Sequence, residues 1–509
     1  MKIAQELSTA RPNILFITCD QLRADALGCY GNAICRTPNI DRLAAMGTTF
    51  TECHTAYPVC APNRATLATG RYPSIHGVTT NGIPLPHEEV TMMDVLRGVG
   101  YRTYGAGKMH FGPQWAFPPD GARLKDPRPE WAVDPQPADD DLPWHGFERV
   151  AITEDNRVGP YGRYLAAHGY DVWSDPHSFT YPQHITQRSV YPEEHHQTTW
   201  VADRSIEFLR AHPAADPFFL WTSFVDPHHP FTPPAPFDEM YTPAEMPLPK
   251  RSEEESAHWP QAYQRKFHAR EGSHEAIGMD RLADSQWQRI KAFYYGMVSL
   301  IDKQVGRILD CLREIGAAEN TIVVLTADHG EMLGDHGLVF KGTTYEEVTR
   351  MPLILSHASS TPEPMESAAG AGTTGTSARG RTVDGLYSSI DVAPTVLGLA
   401  GLDPPREMQG RSITTPSPSD GSPADRGARE AVLIENSGAR RSVRTRDYLL
   451  TWHGAGTRGE LYDLRTDPDC YVNLWDVESA AALKSEATDA LLELLASNLD
   501  PRHRRLGAC

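Results

Sequence analysis

An α/β architecture with a largely parallel sheet is predicted from two observations: three short apolar runs that each end in polar residues, and a long helical repeat lying between two of them. The runs are Ile14–Cys19, residues 218–225 (Phe-Phe-Leu-Trp-Thr-Ser-Phe-Val) and residues 321–327 (Thr-Ile-Val-Val-Leu-Thr-Ala). Continuous rather than alternating apolarity marks strands covered on both faces. Asp20-Gln21 follow the first run, Asp226-Pro227-His228-His229-Pro230 the second, and Asp328-His329-Gly330 the third. In open α/β sheets, sites gather at the carboxyl ends of strands, so these groups are expected in one crevice.

The elements follow in order. Asn39–Met46 reads as a short helix, with Thr37-Pro38 at its start and Gly47 at its stop. Arg102-Thr103-Tyr104 is strand-like. Residues 112–200 are rich in Pro, Trp, His and Asp with little periodicity. Two readings stand equally there, a lid over the site or an insertion without substrate contact. Trp287–Ile315 carries helical spacing through Ile290, Phe293, Met297, Leu300, Val305, Ile308 and Leu312. Residues 358–382 and 413–428 are Ser, Thr, Gly and Ala rich and read as surface loops. Short strands at Ala431–Ile434, Arg441–Trp452 and Gly459–Tyr462 and a helix over Ala480–Ser497 make a smaller α+β unit. The expected division is a catalytic domain over 11–412, with 112–200 as its insertion or lid, and a C-terminal subdomain and tail over 429–509.

Composition excludes some partners. A chain of 509 residues exceeds one simple core, which fits two unequal units. Lys and Arg number 48 against 66 Asp and Glu, a net charge of -18, which argues against nucleic acid or an anionic membrane as the main partner. Met1–Arg11 lacks the apolar core of a secretory signal, and no long apolar run suggests a membrane span, so a cytoplasmic location is expected. Five of the eight cysteines precede residue 61 without Cys-x-x-Cys spacing, which points to neither a disulfide framework nor a zinc site.

Cys60-Ala61-Pro62-Asn63-Arg64 is the most specific motif. Cys-x-Pro-x-Arg resembles the signal that marks a cysteine for oxidation to formylglycine in the sulfatase family. The hydrated aldehyde attacks sulfur or phosphorus through one hydroxyl and expels the bound group through the other. For the five residues alone, a buried cysteine at a helix start is an equal reading. Other residues shift that balance. Asp20 and Asp328 each follow a strand pattern, and Gln21 can add an amide oxygen for a hard divalent ion. Arg64 lies one helical turn beyond Cys60 and can stand on the same face. If Cys60 opens a helix, the free amides there would favour an anion. Lys108 and His110, two apart after Arg102–Tyr104, can act as anion clamp and base. Lys341, thirteen residues beyond Asp328, is within a loop's reach of the same crevice. With His228, Lys108 and Arg64, it would supply positive charge to a tetrahedral anion.

Together these motifs resemble the sulfatase family of the alkaline phosphatase superfamily from about Asn13 to Leu474, including Glu460-Leu461-Tyr462-Asp463-Leu464. The resemblance implies a large, mostly parallel sheet sandwiched by helices, as in alkaline phosphatase. It implies one divalent metal, Ca2+ or alternatively Mn2+, held by Asp20, Gln21, Asp328, His329 and the group derived from Cys60. Arg64 would support the aldehyde. Lys108 and His110 match the family's Lys-x-His pair, with His110 as the base. His228 and Lys341 match the contacts to substrate anion and leaving group. Asn63 stands where Ser is usual, and Gln21 and His329 stand where Asp and Asn are common. The implied activity is hydrolysis of sulfate monoesters of the arylsulfatase kind, releasing inorganic sulfate. The alternative is a phosphonate monoester hydrolase or phosphodiesterase of the same superfamily. Those members typically carry Tyr and Thr at the positions of Lys108 and His110, which favours sulfate. Asn81 aligns by spacing with a substrate contact of that group, and a turn role stands equally beside it. The implied partners are a small sulfate ester, a formylglycine-generating enzyme and, from the charged stretch Asp500–Arg505, a second copy in a dimer or tetramer. A binding module with this fold but no modified cysteine is disfavoured, because every expected ligand and base is present.

Overall fold

The computed structural model describes residues 11–113, 134–172, 186–213, 215–252, 255, 259–260, 263–264, 282–358, 380–413, 427–455 and 458–498. Three central strands, β1 (Asn13–Cys19), β5 (Phe218–Phe224) and β6 (Thr321–Ala327), coincide with the three apolar runs. Every residue of β5 and β6 is buried, which is why their sequences do not alternate. β1 pairs in parallel with both. β2 (Thr48–His54), β3 (Arg102–Gly107), β4 (Arg149–Ile152), β7 (Arg350–His357) and β8 (Arg381–Ser388) complete an eight-stranded sheet in the order β4-β3-β5-β1-β6-β7-β2-β8. Only β7 runs against its neighbours β6 and β2.

Helices flank this sheet in two groups. α1 (Pro38–Met46), α5 (Gln197–Ala211) and α6 (Asp284–Glu314) pack together. α2 (Cys60–Thr69), α3 (Met92–Gly98) and α7 (Val392–Leu399) form the second group. A further helix, α4 (Gly159–Ala167), lies beside β4. The second sheet, in the order β12-β11-β10-β9, is antiparallel: β9 (Val432–Glu435), β10 (Arg441–Arg444), β11 (Tyr448–Trp452) and β12 (Glu460–Asp463). α8 (Ala481–Ser497) packs against it.

Two expectations are corrected. Arg441–Trp452 is a hairpin rather than one strand, because the Thr445 hydroxyl accepts the amides of Asp447 and Tyr448 and turns the chain. The segment 112–200 is not merely irregular: β4 pairs with β3 and extends the main sheet. A four-residue strand with three apolar residues, Val150–Ile152, is too short for periodicity to register. The remaining residues of that segment between 114–133 and 173–185, most of the two loops at 358–382 and 413–428, and Asp500–Arg505 lie outside the described residues. Among the described residues no helix is long and apolar enough to cross a membrane.

Candidate active site

Four strands deliver the site at their carboxyl ends. β1 runs into Asp20 and Gln21, β3 into Lys108, β5 into the segment carrying His228, and β6 into Asp328 and His329. The segment after β2 leads to Cys60, the first residue of α2. Ligand atoms of Asp20, Cys60, Asp328 and His329 lie within 4.8 Å of one another, and all four residues are buried. Cys60 Sγ is 3.2 Å from His329 Nε2 and 3.6 Å from Asp20 Oδ1.

Hydrogen bonds orient these groups. His329 Nδ1 lies 2.9 Å from the Gly330 carbonyl, which can only accept, so the Nε2 lone pair faces the cluster. The Gln21 amide nitrogen meets Glu331 Oε2 and His229 Nδ1, and its oxygen accepts from Lys341 Nζ at 3.0 Å. Glu331, wholly buried, therefore fixes which end of that amide turns inward. Gln21 and His110 hold φ of 66° and 56°, a left-handed backbone that costs roughly 1–3 kcal/mol and recurs at functional sites.

Three cations converge. Arg64 Nε donates to Asp328 Oδ2 at 2.8 Å, and its Nη2 lies 3.4 Å from Asp20 Oδ2. Lys108 Nζ is 2.5 Å from Asp20 Oδ2 and 2.5 Å from Asp155 Oδ1. Lys341 Nζ is 2.8 Å from Cys60 Sγ. Burial would raise the Asp20 carboxyl, but Lys108, His228, Lys341 and Arg64 hold it well below the usual range. Burial pushes the Cys60 thiol up to about 12, with Asp20 adding and Lys341 opposing. It lowers the His110 imidazole well below its ordinary value, and Lys108 lowers it further. Burial and then Lys341 bring His228 down to about 4. Lys341 itself is raised, because Cys60 and Asp20 outweigh its burial.

Every residue expected from the sequence is found around this crevice, with Asn81 in a role of its own. Its Oδ1 accepts the Ala61 amide at 3.0 Å and so caps α2, whose first flanking residue, Val59, supplies no side-chain cap. The sequence reading missed Glu154 and Asp155, which follow β4, as well as Glu331 and His229. Glu154 Oε1 accepts the His110 amide at 2.8 Å. A short apolar strand running into acids, the pattern already seen at Asp20, was the signal available for the first pair.

Residues 12–402 match the sulfatase family model. The chain belongs to the sulfatase family. Residues 334–497 also match the C-terminal model of N-sulphoglucosamine sulphohydrolase. The chain is similar to the multifunctional alkaline phosphatase superfamily protein PehA of Trinickia caryophylli, 31% identical over 433 residues, which cover 82% of this chain and 78% of that one. It is 28% identical to an arylsulfatase of Clostridium perfringens over 520 residues, covering 97% and 95% of the two chains. Among solved structures, the phosphonate monoester hydrolase of Agrobacterium radiobacter superposes with a TM-score of 0.77 at 26% identity, over 98% of both chains. By family the protein is a sulfuric ester hydrolase.

Proposed function

We propose that this enzyme hydrolyses sulfate monoesters of the arylsulfatase kind, with Cys60 converted to formylglycine. The observation that carries the reading is Cys60 at the first position of α2, facing two carboxylates and an imidazole, with the Lys341 ammonium 2.8 Å from its sulfur. The unmodified thiol, pushed to about 12 by burial, is protonated near neutrality and is a poor nucleophile as it stands. Formylglycine supplies a hydrated aldehyde, whose two hydroxyls serve for attack and for release. Two carboxylates, an amide oxygen and an imidazole lone pair fit a divalent ion, which polarises the ester group when bound. The oxygen donors suit Ca2+ and the imidazole suits Mn2+.

The chain's own residues divide the remaining work. Arg64, Lys108 and Lys341 gather positive charge where the tetrahedral anion forms. His110, neutral near pH 7, takes a proton from the group derived from Cys60. Lys341, an ammonium facing the Asp20 carboxylate, gives its proton to the departing oxygen. His228 suits that step less well: its Nδ1 lies 2.6 Å from the His229 carbonyl, so a neutral ring turns an acceptor toward the crevice.

A phosphonate monoester or phosphodiester hydrolase is the second reading. The likeness to phosphonate monoester hydrolases favours it, whereas Lys108 and His110 favour sulfate. The deciding experiment uses protein made together with a formylglycine-generating enzyme. It compares kcat/KM for 4-nitrophenyl sulfate with that for phenyl phosphonate and bis-phenyl phosphate esters. Preference for sulfate supports the first reading, and preference for the phosphorus esters replaces it with the second. Cys60→Ala is expected to lower kcat by at least about 10³-fold. Near-normal turnover by that variant would rule the nucleophile out.

A further inference from the structure

The Lys108 ammonium is shared between two carboxylates that differ in where they stand. Asp20 lies in the floor of the site with its side chain fully covered, as are those of Lys108, Arg64 and Asp328. Asp155 keeps 30% of its side chain exposed, so it meets Lys108 from the open side of the crevice. It follows β4, the edge strand beside β3, and with His228 it lines a cleft that continues to Arg157, Tyr161 and His196. Burial would raise its carboxyl, but Lys108 and then His228 outweigh that and keep it an anion.

The reaction changes the charge that this anion meets. Hydrolysis of a sulfate monoester breaks the ester bond, consumes one water, and yields an alcohol, a proton and sulfate. The ester carries one negative charge and sulfate carries two. A fixed negative charge beside the anion pocket weakens the hold on both, and it weakens the hold on the doubly charged species about twice as much. A phosphate monoester, doubly charged near neutrality, is disfavoured on the same ground.

We propose that Asp155 is the charge filter of this site: it admits singly charged esters, sheds doubly charged sulfate, and excludes phosphate monoesters. The proposal rests on the preceding reading only in placing the substrate anion at Lys108. Asp155 acts through the field at that position rather than on the reacting atoms, so it is a selectivity residue.

The test is equilibrium binding to the metal-loaded, formylglycine-bearing enzyme by calorimetry, with inorganic sulfate as the dianion and methanesulfonate, which has no ester bond to hydrolyse, as the monoanion. Asp155→Asn is expected to tighten sulfate relative to methanesulfonate by about tenfold, a figure reduced for the partial exposure of this carboxylate. Asp155→Glu, which retains the charge, is expected to restore most of the wild-type ratio. A structural role alone would weaken both anions in proportion and leave the ratio unchanged. An unchanged ratio in Asp155→Asn, or a Glu variant that behaves like Asn, overturns the proposal. Turnover is not needed for this readout, so lack of sulfatase activity would sink the functional reading and leave the filter still testable. For active enzyme, kcat/KM for 4-nitrophenyl phosphate relative to 4-nitrophenyl sulfate should rise by a similar factor.

Discussion

Asn63 shows why the motif around Cys60 departs from the family's usual serine. Its Nδ2 donates to the Asp328 carbonyl at 2.6 Å, and its Oδ1 accepts from Ser389 at 2.6 Å, so the longer amide ties α2 to the strand end that carries Asp328. The same logic applies to Glu331, which follows Asp328-His329-Gly330. Its Oε2 takes the Gln21 amide nitrogen, and its Oε1 accepts from the backbone at Leu333 and Phe340. A carboxylate accepts only, so the Gln21 oxygen is left to face the cluster. Glu331→Gln brings in a donor that no longer enforces this orientation. It is expected to weaken divalent-metal binding about 10–100-fold with little change in fold. Metal titration of the stripped protein, followed by calorimetry, measures this. Unaltered affinity would mean that Gln21 is oriented by His229 alone. Asp20, Cys60, Asp328 and His329 were legible in the sequence because each lies beside a strand pattern or inside a motif. Glu331 and Asp155 were not, because their importance lies in partners some three hundred and about fifty residues away.

α2 is a helix whose every residue is buried, so its pattern has no polar face to reveal it. It ends at Gly70, whose φ of 62° admits glycine with ease. At its start the backbone amides need outside partners, and Asn81 meets the Ala61 amide. Gly107 sets the other wall: a side-chain carbon there would lie 1.8 Å from the Ser223 carbonyl oxygen, so only glycine lets β3 close on β5 just before Lys108. The two sequence readings of Asn81, turn residue or substrate contact, now separate by experiment. A capping role predicts that Asn81→Ala loses about 1 kcal/mol of stability in denaturant unfolding, with KM changed less than severalfold. A substrate contact predicts the reverse, a raised KM at unchanged stability. β4 escaped notice for a different reason. It is four residues long at the edge of the sheet, and its identity comes from pairing with β3 rather than from its own sequence.

The smaller sheet and α8 share a core with the larger unit, since Ala56, Tyr72 and Ile390 pack with Leu433, Val443, Leu461 and Leu491. They also brace both sides of the crevice. The Glu435 amide donates to the Ala56 carbonyl ahead of Cys60, and Asn436 and Arg440 donate to the carbonyl of Gly342, next to Lys341. The sequence marked this unit by its loops and short strands, while its contribution to the crevice depends on contacts that only the fold brings together. A property of the whole chain is its response to acid. Burial, with a nearby cation or ring, lowers His76 and His196 to about 3 and His145 and His228 to about 4. Two of these rings serve as acceptors: His76 Nδ1 takes the Val78 amide, and His196 Nδ1 caps α5 at Thr198. Protonation would turn each acceptor into a donor facing a donor. A histidine lowered on folding stabilises fully above its ordinary value of 6.5, and loses that contribution as the pH falls toward the folded value. Glu154 and Asp226, both raised to about 7 by burial, act in the opposite sense and lose their contribution as the pH rises through that value. Burial also lowers His54, His110, His229 and His329, against two more raised carboxyls, Asp302 and Glu347, and one raised ring, His336. The lowered rings outnumber the opposing groups, so Tm of the metal-loaded enzyme is expected to fall steadily from pH 7 to pH 5. Scanning calorimetry at fixed ionic strength checks this, and a flat or rising Tm would show that the raised groups outweigh the lowered rings.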